Sequence, residues 1–147
     1  MRWEPGPGGG FCPPEVEPWL PLDDGTSGID VATQRADPGS ILHLTRSLLA
    51  LRRERPALAA GGYASLEAPD GCYAYRRSTA SESLVVALDL GGAGGRVELP
   101  AAGRILLATH RDRAGEGVPD QVELAPFEGV VVELGTTAEG SSAEPGG

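Results

Sequence analysis

The chain has 147 residues, the size of one ordinary domain, and carries a formal net charge of −9 from 21 acidic and 12 basic residues. All 12 basic residues are arginine, and an acidic chain without basic clusters is a poor candidate for binding nucleic acid or an anionic membrane. No apolar run approaches the roughly 20 residues that cross a bilayer. The first twenty residues do not resemble a signal peptide, and two isolated cysteines do not indicate a disulfide framework. We therefore expect a cytoplasmic location.

The first segment of the chain, residues 1–36, is predicted to be a long loop. Closely spaced glycines and prolines favour turns over regular structure in its first part. Trp3, Phe11 and Trp19 are large enough to anchor such a loop. A loop of this length is normally functional, or it depends on a support that lies elsewhere.

Residues 37–55 are predicted to form the one long helix. Asp37 suits the N-cap, Pro38 suits the first helical position, and Pro56 ends the run. Apolar side chains fill about half of the helical wheel: they are Ile41, Leu42, Leu44, Leu48, Leu49 and Leu51. A stripe this wide needs a large apolar partner, and the sequence offers no second helix to supply one. We therefore expect the chain to be a piece of a larger protein.

Residues 59–134 predict short strands joined by turns, which is typical of an antiparallel β-sandwich. The strands are expected at 63–67, 72–78, 83–90, 96–99, 104–109, 121–124 and 129–134. The continuous apolar run from Leu84 to Leu88 predicts a strand that is covered on both faces. Tyr73 and Tyr75 share one face of their strand, and we expect them to pack in the core or across strands rather than to bind a sugar. Residues 135–147 are expected to be a disordered tail.

Several motifs, in this order, resemble those of α-glucosidases of glycoside hydrolase family 13. The runs Met1-Arg2-Trp3, Gly10-Phe11 and Pro18-Trp19-Leu20-Pro21 resemble a segment that follows the last barrel strand in that family, although Arg2 stands where glutamine is usual. Segments 31–42 and 51–58 resemble the family's V-x-x-Q…D-P-x-S-x-L and L-R-x-x-x-P-A-L motifs. Segments 107–113 and 124–129 are similar to late strands of its C-terminal domain. The resemblance implies a loop and the last helix of an incomplete (β/α)₈ barrel over residues 1–58, then the family's C-terminal β-domain over residues 59–134.

The resemblance also has a consequence for catalysis. Family members are retaining enzymes with an Asp nucleophile, a Glu acid/base and a third Asp, and all three precede the segment that this chain resembles. It therefore implies no catalytic residue here, and we expect neither a cofactor nor a metal. Trp3 and Trp19 would lie in the loop after the eighth barrel strand, on the face where such barrels bind substrate. They are candidates for lining a sugar subsite, and the alternative is that they fix the loop to the barrel rim.

Three functions follow from these patterns. The first is a non-catalytic C-terminal part of an α-glucosidase-type enzyme, whose partners are a (β/α)₈ catalytic domain and an α-glucan or oligosaccharide. The second is a stand-alone carbohydrate-binding module, which requires exposed planar aromatic rings. The third is an interaction module that complements a separately encoded barrel. The adjacent carboxylates Asp23 and Asp24 are interpreted as a solvated turn rather than as a catalytic pair.

Overall fold

The computed structural model describes residues 2–22 and 28–135. Met1, the Asp23-Asp24 pair and the predicted tail beyond Gly135 lie outside these ranges. The chain forms two compact units, Met1–Leu51 and Arg52–Gly147. Within the described ranges, the helices are too short or too polar to cross a bilayer.

The first unit contains a short helix where the sequence predicted only loop. Pro7–Gly10 form a single 3₁₀ turn, and helix α1 spans Val31–Ala36. Asp30 caps α1, because its carboxylate accepts the Thr33 N–H at 2.8 Å and the Thr33 hydroxyl at 2.7 Å. The prediction of an uninterrupted loop over residues 1–36 was therefore wrong at its end.

The long helix, α2, spans Ile41–Glu54 and begins later than the sequence predicted. The Asp37 carboxylate accepts the Gly39 N–H at 2.8 Å, which closes a turn before the helix instead of capping it. Ser40 takes the capping position, and its hydroxyl accepts the His43 N–H at 3.4 Å. The predicted end at Pro56 is confirmed, because that residue opens a separate short helix, α3, over Pro56–Ala60. All fourteen residues of α2 are described, and none of them is buried.

The second unit is built mainly from antiparallel strands, as the sequence predicted. The strands are β1 Gly62–Leu66, β2 Cys72–Ser78, β3 Ser83–Asp89, β4 Gly95–Glu98, β5 Gly103–Ala108, β6 Gly117–Val118, β7 Gln121–Leu124 and β8 Gly129–Leu134. Six strands form one sheet in the order β1-β2-β3-β8-β5-β6, and β4 pairs with β7 in a second sheet. The two-residue strand β6 and helix α3 were not predicted, because both are too short to show a period.

The core of this unit draws on both sheets. Strand β3 is central in the larger sheet, and its Val85 lies opposite Val132 of β8. The prediction that the run at β3 is covered on both faces is confirmed from Leu84 to Ala87, all of which are buried. Val97 of β4 and Val122 of β7 join the same apolar cluster from the smaller sheet. A single apolar core therefore holds the two sheets together.

Candidate functional site

The backbone around Trp3 is fixed by hydrogen bonds on both sides. The Trp3 N–H donates to the Gly9 carbonyl at 2.8 Å, and the Trp3 carbonyl accepts the Ala32 N–H at 3.0 Å. Gly10 has a φ of +76°, and a Cβ built there would lie 2.8 Å from the Trp3 Cβ. Only glycine fits at position 10, so Gly10 allows the backbone to pass close to the Trp3 side chain.

Trp19 is far more open than Trp3, with 94% of its surface exposed. It lines a cleft of about 610 Å³ together with Arg2, Glu17 and Leu22. Trp3 lines neither this cleft nor the larger one beside it. Of the two candidate tryptophans, Trp19 therefore borders one of these clefts and Trp3 borders neither.

The larger cleft in the first unit, about 710 Å³, is mainly apolar. Its polar side chains are already engaged in local contacts. Gln34 accepts the Leu42 N–H at 3.0 Å and donates to the Ile29 carbonyl at 2.9 Å. The Ser40 hydroxyl donates to the Gln34 carbonyl at 2.7 Å. These contacts join α1 to the start of α2, so the polar groups build the cleft wall.

The cleft does not contain the pair of carboxylates that retaining glycoside hydrolysis requires. Among the described residues that line it, Asp37 is the one carboxylate, and it holds the Gly39 N–H. Asp30 nearby is the cap of α1, and hydrogen bonds from Thr33 lower the pKa of its carboxyl. Both carboxylates accept backbone N–H groups. Within the described ranges, no cluster of three or more acidic, histidine or cysteine side chains could hold a metal ion.

The second unit contains two buried carboxylates, Asp89 and Glu128, that the sequence did not predict to be buried. Asp89 accepts backbone N–H groups from Gly91, Gly92, Gly94 and Phe127 at 2.8–3.1 Å. The Gly94 N–H is the strongest cause that lowers the pKa of this carboxyl. An acidic residue followed by glycines is the available signal, but the same pattern occurs in any solvated turn.

Glu128 is the second buried carboxylate. Its Oε2 accepts from Arg113 at 2.8 Å and from the Ala125 N–H at 2.9 Å. The Nδ1 of His110 lies 3.5 Å from its Oε1. A buried carboxylate with a guanidinium and a backbone donor as partners fixes the turn before β8. It has no second carboxylate among these partners with which to act as an acid/base pair.

Three tyrosines form a cluster on the larger sheet, on the face away from the core. Tyr63 and Tyr73 are 57% and 43% exposed, and their hydroxyl oxygens lie 2.7 Å apart. The Tyr75 ring lies between them, with centroid distances of 5.5 Å to Tyr63 and 5.7 Å to Tyr73. The hydrogen bond with Tyr63 is the main cause that raises the pKa of Tyr73. The cross-strand alternative of the expected packing is present, and Tyr63 and Tyr73 remain partly exposed.

Fold and site together define a class of protein: a mainly antiparallel β-domain that follows a loop and a helix and lacks an acid pair in its described cleft. No family model matches the chain. It is 35% identical over 100 residues to a probable α-glucosidase of Rhizobium meliloti, covering 68% of this chain and 18% of that protein. It is 29% identical over 136 residues to the trehalose-6-phosphate hydrolase of Escherichia coli, covering 88% of this chain and 24% of that protein.

Comparison with solved structures finds similar proteins. The trehalulose synthase MutB of Pseudomonas mesoacidophila matches with a TM-score of 0.79 and 25% identity, covering 90% of this chain and 24% of MutB. This chain is a relative of the α-glucosidases and oligo-1,6-glucosidases of glycoside hydrolase family 13. It spans about a quarter or less of the length of the relatives named above.

Proposed function

We propose that this chain is the non-catalytic C-terminal part of an α-glucosidase-type retaining glycoside hydrolase. Its role is to support a (β/α)₈ catalytic domain that acts on α-glucosidic bonds. In this proposal residues 1–58 belong to the barrel, and residues 59–134 form the sandwich that follows it. The observation that carries the proposal is the match to about a quarter of the length of several α-glucosidases.

The chemistry of the described carboxylates supports the same role. The four that are buried or border the larger cleft, Asp30, Asp37, Asp89 and Glu128, hold backbone N–H groups, and Glu128 also holds Arg113. A retaining mechanism needs two carboxylates about 5–5.5 Å apart, one of which must be free to attack carbon. A carboxylate that holds structural hydrogen bonds is poorly suited to that step.

The apolar side of α2 supports a partner domain. Ile41, Leu48 and Leu49 are exposed large side chains on one broad face of this helix. Burying such a side chain contributes roughly 1.5–3 kcal/mol, so the face favours contact with an apolar partner surface. A barrel domain is the partner that the similarity to family 13 enzymes suggests.

The proposal places Trp3 and Trp19 near the substrate side of the barrel.

The proposal also includes a cytoplasmic location. Both cysteines, Cys12 and Cys72, are free thiols, as is usual in a reducing compartment. A stand-alone carbohydrate-binding module is less well supported, because the matched relatives are about four times longer than this chain.

Two experiments test the proposal. The purified chain, assayed on a chromogenic α-glucoside, is expected to show no turnover above a blank. Turnover that co-elutes with the folded chain would show that the catalytic pair lies within it. In the second experiment the chain is co-expressed with the Rhizobium meliloti relative from which the matching segment has been deleted, and it is expected to restore soluble, active enzyme.

A pair of helix variants shows whether the partner contact uses the apolar face of α2. Leu48→Asp places a charge on that face and is expected to abolish restoration. Ala50→Asp places the same charge on the opposite, exposed side of α2 and is expected to leave restoration intact. Equal restoration with both variants would contradict the assignment of this face to a barrel contact.

A further inference from the structure

We propose that the tyrosine strip, formed by Tyr63, Tyr73 and Tyr75, binds an α-linked glucan on the β-domain. The proposed function does not include this site, because it places substrate contacts only in the N-terminal loop. The choice of an α-glucan rests on that proposed function, whereas the existence of a sugar-binding surface rests on the geometry of the strip.

The strand register makes the three rings one continuous surface. The partner of Tyr63 on β2 is Arg77. Arg77 is four residues after Tyr73, so the backbone positions of Tyr63 and Tyr73 are offset by roughly 13 Å along the strands. Their hydroxyl oxygens nevertheless meet at 2.7 Å. The two side chains must lean toward each other along the sheet, with Tyr75 between them. The planes of Tyr63 and Tyr73 are inclined by 30° and 44° to that of Tyr75, so the three rings form one aromatic patch that can contact the apolar face of a sugar ring.

The strip is accessible from the rim of the sheet. Among the strands that the structure describes, β1 lies at the edge of its sheet, beyond β2. Ala74 lies between Tyr73 and Tyr75 in sequence and is buried in the core, so the tyrosines occupy the outer face. The exposure of Tyr63 and Tyr73 leaves aromatic surface free for a ligand.

The surroundings of the strip favour a neutral ligand that makes hydrogen bonds. Tyr75 lies opposite Ser65 on one side and Val86 on the other, and Tyr73 lies opposite Leu88. These three neighbours are uncharged, whereas Arg77 lies directly opposite Tyr63 and the exposed Glu67 follows the end of β1. The cation at one end, Arg77, donates to the Gly61 carbonyl at 2.8 Å. With a chain charge of −9, this surface disfavours nucleic acid, and its phenol hydroxyls can exchange their mutual bond for bonds to sugar hydroxyls.

The chemical class of sugar comes from the relatives. One of them is named a glucan 1,6-α-glucosidase of Streptococcus pneumoniae, and it matches 91% of this chain. An enzyme that acts on a polymer gains from a second contact outside the active site, because the linked contact raises the effective concentration of substrate. A β-domain joined to a barrel is well placed to supply that contact.

The test uses the whole chain in native gels that contain soluble dextran or dextrin. Glucan binding is expected to retard the protein. Tyr63→Ala with Tyr73→Ala is expected to weaken binding about tenfold, because two ring contacts are lost. Tyr63→Phe with Tyr73→Phe keeps both ring faces and is expected to keep most of the binding. Backbone NMR shifts on adding maltoheptaose or isomaltotriose are expected at Ser65 and Tyr75.

Two controls separate the strip from other exposed apolar groups. Leu90→Ala removes an exposed aliphatic side chain from the same unit and is expected to change nothing. Val16→Ala removes an exposed aliphatic side chain from the first unit and is also expected to leave retardation unchanged. Retardation that Tyr63→Ala with Tyr73→Ala leaves unchanged would overturn the proposal. Failure of the unmodified chain to bind either glucan would also overturn it.

Failure of this inference is distinguishable from failure of the proposed function. Glucan binding is measured on the chain alone, whereas barrel support is measured by restored α-glucosidase activity. The double alanine variant is expected to restore the truncated relative as well as the unmodified chain does on a small chromogenic substrate. The opposite result is a double alanine variant that folds, still binds dextran and fails to restore activity. That result would show that the strip is a barrel contact and that the inference is wrong.

Discussion

The backbone N–H of Phe127 donates to Oδ2 of Asp89 at 2.8 Å, although the two residues are 38 positions apart. The same carboxylate holds the glycine turn between β3 and β4 through three further N–H groups. A single buried side chain therefore joins the end of β3 to the turn that precedes β8. Phe127 adopts a left-handed φ of +57°, a conformation that such fixed contacts can maintain.

Replacing Asp89 with asparagine is expected to lower stability and to weaken its dependence on acid pH. Asparagine turns one acceptor oxygen into a donor, which would face N–H groups that also donate. Because the folded state lowers the pKa of Asp89, its contribution is present above the unfolded pKa of about 4 and is lost as the pH falls through the folded pKa. Urea unfolding from pH 7 to pH 3 measures both effects.

In that experiment the unmodified chain and Asp89→Asn are expected to differ most at neutral pH and to converge toward pH 3. The other depressed carboxyls, Asp30 and Glu116, titrate in both proteins, so they cancel in the comparison. A difference that grows as the pH falls would contradict the direction of the Asp89 pKa shift.

Removing Arg113 is expected to cost far more stability than removing its exposed partner Glu116. The Arg113 guanidinium contacts both Glu116 and the buried Glu128, and these contacts raise its pKa. Arg113→Ala leaves the Glu128 carboxylate buried without its charge partner, which costs about 3–5 kcal/mol. Glu116→Ala breaks a pair at the surface, which costs about 1 kcal/mol or less. Chemical denaturation of both variants measures the contrast.

A second substitution tests the reason for that contrast. In an Arg113→Ala background, Glu128→Gln removes the uncompensated charge and is expected to recover part of the lost stability. No recovery would mean that Arg113 acts through its contact with the Glu123 carbonyl, which lies 2.9 Å from its Nη1.

The Phe127 ring makes Gly92 a sensitive position. A Cβ at Gly92 would lie 2.3 Å from the ring carbon Cζ, and its φ of +77° already disfavours other residues. Gly115 is a matched control, because its φ is +91° and nothing lies within 4 Å of a Cβ there. The Phe127 ring is 72% exposed and can swing aside, so Gly92→Ala is expected to cost only about 0.5–1.5 kcal/mol more than Gly115→Ala, the cost of moving a ring from its preferred rotamer.

Removing the Phe127 ring tests whether it causes the difference between the two glycine positions. In a Phe127→Ala background the difference between Gly92→Ala and Gly115→Ala is expected to disappear in thermal or urea unfolding. A difference that survives the loss of the ring would place its origin in the backbone of the glycine turn.

Hydrogen exchange of the isolated chain is expected to be much faster in α2 than in β3 and β8. Protection follows the burial of the surrounding structure: no residue of α2 is buried, whereas Leu84–Ala87 and Val130–Val132 are. Mass-spectrometric exchange of peptides from residues 41–51 and 83–89 measures the contrast. Equal protection of the two segments in a monomer would show that α2 needs no partner.

The sequence by itself determined the antiparallel β class and most strand positions. Strands β2, β7 and β8 have the predicted bounds, because alternation and turn residues are local properties. The start of α2, by contrast, could not be predicted from local sequence alone. Asp37 and Ser40 both suit a cap, and the contact of Ser40 with Gln34 accompanies the start at Ile41. The family resemblance likewise came from short motifs that are readable without a fold.

Only the tertiary structure decided which side chains meet. Strand β8 enters between β3 and β5, a non-local pairing that no local pattern encodes. That pairing, with the turn before it, brings the Phe127 N–H to Asp89 and orders Glu128 beside Arg113. The sequence does not mark either acid as buried, because their partners lie in other segments of the chain. The tyrosine strip depends on the register of β1 against β2, since a shift of one residue would send Tyr63 to the opposite face.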